Sequence, residues 1–298
     1  MDLPLLEDDL ADPGVIEARM LHPGEANVPP VAVLCFFNDL LDQLAAEGAL
    51  RRVYVLRSEI GHNPVYEFDT GHGTVAVVHP GVGAPLAAGF VEEMAALGVS
   101  TFVACGGAGA LVKDLALGHV MVVASALRDE GTSLHYAAPS RIIEADALGV
   151  RVLEATLTAR GVDYFVGRTW TTDALFRETR ARVARRIDER CAMVDMESSA
   201  FIAVARYRGL RFAQLLYAGD SLAGDDWDSR HWDHAHGVRE ELFLAAAQAA
   251  ITLHHADGAG SWQVKEGFTH DDFATEKVRV TTEELLSERD EVRALGLI

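Results

Sequence analysis

The feature that most constrains this chain is an apolar run that ends in a glycine turn and hands over to a helix-spaced stretch. Thr74 to His79 (TVAVVH) is rich in β-branched residues and stops at Pro80-Gly81; Ala84 to Leu97 then follows with helical spacing up to Gly98. The pattern recurs. Val31 to Phe37, Arg52 to Leu56, Val65 to Phe68, Thr101 to Cys105, His119 to Ser125 and Phe212 to Tyr217 read as further strands. Arg177 to Arg190, Ser198 to Arg208 (ended by Gly209) and Gly237 to His255 read as helices. Strands alternating with helices predict an α/β fold with a largely parallel or mixed sheet. No repeat and no long linker interrupts the pattern, which predicts one domain over 30–256. An N-terminal extension (1–29) precedes it, and a C-terminal extension (257–298) follows, in which Thr281 to Leu295 reads as an exposed amphipathic helix.

Charge narrows the partners. A formal net charge of −19 repels phosphate backbones and anionic lipid, so neither nucleic acid nor membrane is expected as a partner. No run approaches the roughly 18 apolar residues that span a bilayer. Glu7, Asp8 and Asp9 stand where a secretory leader is basic. Cys35, Cys105 and Cys191 are few and far apart, which predicts buried free thiols in a reducing, cytoplasmic setting.

Chemistry concentrates in a few places. The stretches His79 to Pro85 and Cys105 to Ala110 (with Gly106 and Gly107) read as glycine turns at strand ends, where backbone N–H groups can meet a ligand. Arg128 to Tyr136 packs acids, hydroxyls and a histidine into one loop, either a ligand contact or a loop capped by its own side chains. Asp195 and Glu197 are two apart, so in extended backbone only one of them faces a pocket easily. Asp220 directly follows a buried strand and is either a helix cap or a catalytic acid. The loop Gly224 to Gly237 is crowded with aspartates and histidines but carries no metal-ligand spacing, so a solvated lid is expected there and no metal.

In their order, RDEGTSLHYAAPS (128–140), VGRTWTTDALFRET (166–179), VDMESSAF (194–201) and LLYAGDS (215–221) resemble the nucleoside phosphorylase family, which includes uridine phosphorylases, hexameric purine nucleoside phosphorylases and methylthioadenosine nucleosidases. The resemblance runs from about Pro30 to about Ile251. It implies a single α/β domain around a mixed, partly barrel-like sheet and cleavage of an N-glycosidic bond through an oxocarbenium-like transition state. It also implies that Met196 and Glu197 hold the ribose, that Asp220 protonates the leaving purine, and that Phe176, with Leu175 beside it, packs on the base. Gly106, Gly107 and Asp195 complete the expected substrate contacts, with Arg57 and Arg128 as the cations. Phosphate is the implied co-substrate, with no cofactor, in a homo-oligomer (dimer or hexamer).

The sequence departs from the family at the phosphate site. The family's glycine-aspartate-proline turn is replaced by the stretch Leu34 to Asp39. Ala104 and Gly107 stand where an arginine and a hydroxyl residue are usual; Arg57 remains as a cation donated across a subunit interface, and Arg128, Arg168 or Arg177 are the candidates to enter the pocket from elsewhere. Thr179 and Ala181 occupy the positions of the uracil-reading glutamine and arginine, so a purine is favoured. Three functions follow: phosphorolysis first, hydrolysis with Asp39 near the place of a water-activating carboxylate second, and a non-enzymatic nucleoside-binding protein third.

Overall fold

The computed structural model describes residues 3–7, 10–22 and 26–256, so the helix expected over 281–295 lies outside the described residues. In chain order the strands are β1 (Val31–Cys35), β2 (Leu50–Ser58), β3 (Gly61–Asp69), β4 (Thr74–Val78), β5 (Thr101–Ala110), β6 (Val120–Asp129), β7 (Ile142–Glu144), β8 (Tyr164–Thr172), β9 (Cys191–Asp195) and β10 (Arg211–Ser221). The helices are α1 (Ala18–Leu21), α2 (Asn38–Ala46), α3 (Ala84–Ala96), α4 (Ala147–Arg160), α5 (Arg180–Asp188), α6 (Ser198–Arg208) and α7 (His236–His255).

The strands form one mixed sheet in the order β10-β6-β8-β9-β5-β1-β4-β3-β2, and β10 also pairs with β5. That extra pairing closes β5, β10, β6, β8 and β9 into a ring, the barrel-like centre that the resemblance implied. Closure follows from the length of β5. Its first half pairs parallel with β1 from Val31↔Thr101, and its far end pairs antiparallel with β9 at Gly109↔Val194. Helices cover both faces. One apolar cluster joins α2, α4 and α7 to the sheet through Leu41, Leu153 and Phe243, and another joins α3 and α6 through Phe90 and Phe201.

Three expected boundaries move. The glycines after Cys105 lie inside β5, with Gly106 opposite Leu216 and Gly107 opposite Tyr217, so this stretch is strand and not turn. Packing explains it. A Cβ on Gly106 would stand 3.0 Å from Phe36, and one on Gly107 would stand 3.3 Å from the Tyr217 ring. Glycine is chosen here for close approach rather than for a turn. Likewise Asp220 belongs to β10, which runs on to Ser221. The helix expected from Arg177 begins at Arg180, because the Thr179 hydroxyl caps it by accepting from Arg182 N–H at 3.3 Å.

Candidate active site

After β4 the chain turns through His79 to Gly83 into α3. Gly81 (φ +76°) adopts left-handed backbone, and a Cβ there would meet Leu86 at 2.2 Å, so the turn requires glycine. The Gly83 N–H donates to Glu197 Oε1 at 2.6 Å. Glu197 is the buried N-cap residue of α6, so this bond joins the ends of β4 and β9 at one carboxylate. Burial pushes the Glu197 carboxyl up to about 8; the charge of Asp195 adds to the rise, and the N–H groups of Gly83 and Met196 oppose it. Met196, half-buried, stands just before it.

Asp195 is turned inward, 7% exposed. Its Oδ1 accepts from Thr169 Oγ1 at 2.9 Å and Thr171 Oγ1 at 3.1 Å, and its Oδ2 from the N–H groups of Glu197 at 2.7 Å and Ser198 at 2.6 Å. Both oxygens are thus spent inside the chain, and Asp195 braces the β9–α6 junction instead of facing a ligand. Asp195→Asn puts an amide NH₂ against one of these donor pairs. A buried donor left without an acceptor costs about 1–3 kcal/mol. A stability loss of that size is expected in urea unfolding, with the slope of the transition unchanged.

At the far end of β5 the ring brings a second carboxylate close. Gly109 lies between Val194 of β9 and Asp220 of β10: a Cβ on it would meet Val194 Cγ1 at 2.9 Å and Asp220 Oδ1 at 3.4 Å. The segment beyond β10 folds back on it, Ser221 and Asp228 exchanging backbone hydrogen bonds of 2.8 and 3.0 Å. This brings the Trp227 indole to Asp220, donating Nε1–H to Oδ2 at 2.6 Å, while the residue stays 62% exposed. From the other side comes the segment between β8 and α5. Arg180 clamps it by donating to the carbonyls of Leu222, at 2.9 Å, and Asp225. Within that segment Phe176 (91% exposed) and Leu175 (47%) stand free of the core, and the half-buried Glu178 carboxyl is pushed up to about 7 by burial and by the charge of Asp220.

The cations lie elsewhere. Arg128 donates to Ser133 Oγ (2.8 Å), Ser140 Oγ (2.8 Å) and the carbonyls of Ala137 (3.0 Å) and Ala138 (2.7 Å), which makes it the pin of its own loop, the capped-loop alternative of the sequence. Arg168 donates to Ser125 Oγ and the Glu189 carbonyl. Asp39 accepts from Arg239 at 2.7 Å, and Arg239 also donates to the Tyr217 hydroxyl and stacks on Phe37 and Trp232. Burial alone would raise the Asp39 carboxyl, but Arg239 holds it below its ordinary range. Arg57 is exposed near the tip of the β2–β3 hairpin and lines an open groove of about 540 Å³ beside α1. His22, in the same groove, is held within the chain by Tyr54 Oη at 3.0 Å and Glu93 at 2.8 Å.

Glu178 and Trp227 are the two groups at this site that sequence reasoning passed over. Glu178 lies inside a motif quoted for its aromatic, and Trp227 lies in a loop read as solvated. The Trp227 hydrogen bond to Asp220 and the charge that Asp220 places on Glu178 join segments with no fixed spacing between them.

Against known proteins, the family description "Phosphorylase superfamily" matches residues 30–255. The guanosine phosphorylase of Halorubrum lacusprofundi is 30% identical over 227 residues, 74% of this chain and 87% of that protein. A purine nucleoside phosphorylase structure from Toxoplasma gondii superposes with a TM-score of 0.64 at 19% identity, covering 77% of this chain and 94% of that one. An AMP nucleosidase structure from Bacteroides thetaiotaomicron reaches 0.61 at 20% identity, covering 76% and 89%. The mixed sheet closed at β5, the Asp220 carboxylate at its far end and a family match over most of the described chain lead to one conclusion: this chain belongs to the phosphorylase superfamily.

Proposed function

We propose that the protein cleaves the N-glycosidic bond of a purine nucleoside with phosphate, giving free base and sugar 1-phosphate. The observation that carries this reading is that Asp220 and Val194, on the strand that leads to Glu197, lie on either side of Gly109. A leaving purine needs a proton on its ring, and the ribose needs a carboxylate acceptor for its hydroxyls. Asp220 serves the first need, and Glu197, with Met196, the second. Phe176 and Leu175 offer apolar surface to the base. Relatedness to a guanosine phosphorylase supports a purine.

Phosphate is preferred over water because Asp39, the carboxylate nearest the place of a water activator, is occupied by Arg239. The phosphate is then held by backbone N–H groups and by Arg57 reaching from a neighbouring subunit of a homo-oligomer. Water is the second reading, favoured by the engagement of Arg128, Arg168, Arg180 and Arg239 within the chain. The test is product analysis on purine and pyrimidine nucleosides with and without phosphate. Base and sugar 1-phosphate, formed only when phosphate is added, are expected. Free sugar in phosphate-free buffer makes the protein a nucleosidase, and binding without turnover makes it a nucleoside-binding protein.

A further inference from the structure

Asp220 stands at the end of β10, and the residue that holds its carboxyl comes from the returning loop. The Trp227 indole N–H donates to Oδ2 at 2.6 Å, and among the described residues no other donor reaches that carboxyl. Core packing does not set the position of Trp227, which is 62% exposed. The loop is fixed on both sides of it instead. Before it, Arg180 donates to the carbonyls of Leu222 and Asp225. After it, Asp228 pairs with Ser221 through backbone hydrogen bonds, and Arg230 donates to the Leu115 carbonyl at 2.7 Å. Farther on, the Trp232 carbonyl accepts from the Tyr217 hydroxyl at 3.1 Å and from Arg239 at 3.3 Å. Arg230 and His231 take left-handed backbone on the way (φ +50° and +48°), a conformation that residues with a Cβ keep where surrounding contacts impose it. The second oxygen, Oδ1, lies beside Gly109, where glycine leaves it room.

The charged neighbours offer Asp220 no such contact. Glu178, Asp225, Asp226 and Asp228 are acidic, and Arg177 is exposed. Arg180 and Arg230 are spent on carbonyls, and Arg239 on Asp39 and Tyr217. Burial raises the Tyr217 hydroxyl, which keeps its proton. The histidines 231, 234 and 236 stack on one another past Asp228. β5 and β9 bring Gly109 and Val194, neither with charge.

We propose that Trp227 is a positioning residue for the acid: its indole N–H, which donates and cannot accept, holds Asp220 Oδ2 as the acceptor and so places the acid's proton on Oδ1 for the leaving base. The proposal rests on the reading of Asp220 as the acid. As the C–N bond breaks, its electron pair passes to the base. The O–H bond of Asp220 breaks, its proton going to the ring nitrogen and its electron pair staying on the carboxylate. A phosphate oxygen forms the new C–O bond. A hydrogen bond to a carboxylate is roughly twice as strong as one between neutral groups. The indole contact therefore tightens as the proton leaves, and an interaction stronger in the transition state than before it lowers the barrier. The carboxylate takes a proton back from solvent once the base has gone.

The test compares kcat and KM against pH for the full chain and its Trp227→Phe and Trp227→His variants. The substrates are a purine nucleoside and its N7-alkylated analogue, whose base carries its positive charge already. Phenylalanine keeps an aromatic ring without the N–H; histidine returns an N–H, at Nε2, the same number of bonds along the side chain. Trp227→Phe is expected to lower kcat for the purine nucleoside about tenfold or more with KM nearly unchanged. Its alkaline fall in kcat moves to higher pH, because a carboxyl that loses a donor to its ionised form holds its proton more tightly. Trp227→His regains most of the rate, and the alkylated analogue is turned over alike by all three proteins. Equal losses on both substrates make Trp227 a support of the loop and overturn the proposal, as does an alkaline limb that stays in place. Impaired Asp220→Asn beside an unaffected Trp227→Phe overturns Trp227 alone. Unchanged turnover in Asp220→Asn, or no turnover of purine nucleosides by the unaltered protein, overturns the reading of Asp220 itself.

Discussion

Asp220→Asn is expected to lower kcat for purine nucleosides by about 10²- to 10⁴-fold, the range that a positioned general acid supplies. The fold should survive. The side chain lies at the end of β10, only partly buried, and an amide oxygen still accepts the Trp227 indole N–H. What is lost is the proton. An amide cannot donate one to the ring, so the base must leave as an anion or wait for solvent. A substrate alkylated at the ring nitrogen needs no proton and should be turned over by Asp220→Asn nearly as fast as by the unaltered protein. Equal thermal unfolding of the two proteins would confine the effect to chemistry. An unaltered rate on ordinary purine nucleosides would remove Asp220 from the mechanism.

Glu197→Ala should fall next in severity. Above about pH 8, where the carboxyl is ionised, its charge-assisted bonds to ribose hydroxyls contribute about 1.5–3 kcal/mol each, so kcat/KM measured there should drop on the order of 10²-fold or more. Nucleosides lacking one of those hydroxyls should lose less, and equal loss on both would argue against ribose contact. The carboxyl also has a pH signature. Its folded value of about 8 lies above the unfolded 4.5, so the folded state holds the proton more tightly. Stability from this group is therefore full below about pH 4.5 and is lost as pH rises towards 8. Glu197→Gln keeps the acceptor for Gly83 N–H and removes the charge. It should melt higher than the parent at pH 8, by about 2–4 °C for each kcal/mol relieved, and match it near pH 4. A variant that is more stable yet no longer binds ribose is what a site strained for function predicts.

Much of the frame was legible in the sequence. The runs of β1, β4 and β10 are nearly unbroken apolar stretches, and α3 and α6 carry their own glycine stops, so local signals sufficed. β8 was not read because its run YFVGRTWTT, Tyr164 to Thr172, mixes glycine, arginine and threonine, and it is a strand through its pairing with β6 and β9. α4 was passed over although Asp146 caps it and Gly161 ends it in left-handed backbone. The glycines of β5 misled because their cause is distant: Phe36 and the Tyr217 ring lie far from them in the chain. For Asp195 and Glu197 the alternation argument does not carry over, because Glu197 has already left extended backbone (φ −135°, ψ −28°). The hydrogen bonds inside the junction, not strand alternation, set the two carboxylates apart. Motif order pointed to Glu197 and Asp220. No spacing rule could have joined Glu178 or Trp227 to Asp220, because a returning loop and a clamped segment bring them there.

The last described helix, α7, supplies Leu242, Phe243, Ala246, Ala250 and Leu253 to the core beneath β1, β5 and β10, and its first turn carries Arg239 to Asp39. A ribosome makes this chain from the other end. Until α7 has emerged, the sheet face beneath it stays open to water, with the apolar side chains of Val33, Val103 and Leu215 uncovered. The nascent chain therefore spends most of its synthesis with that apolar face unsealed, and a message truncated before residue 236 yields a sheet prone to self-association.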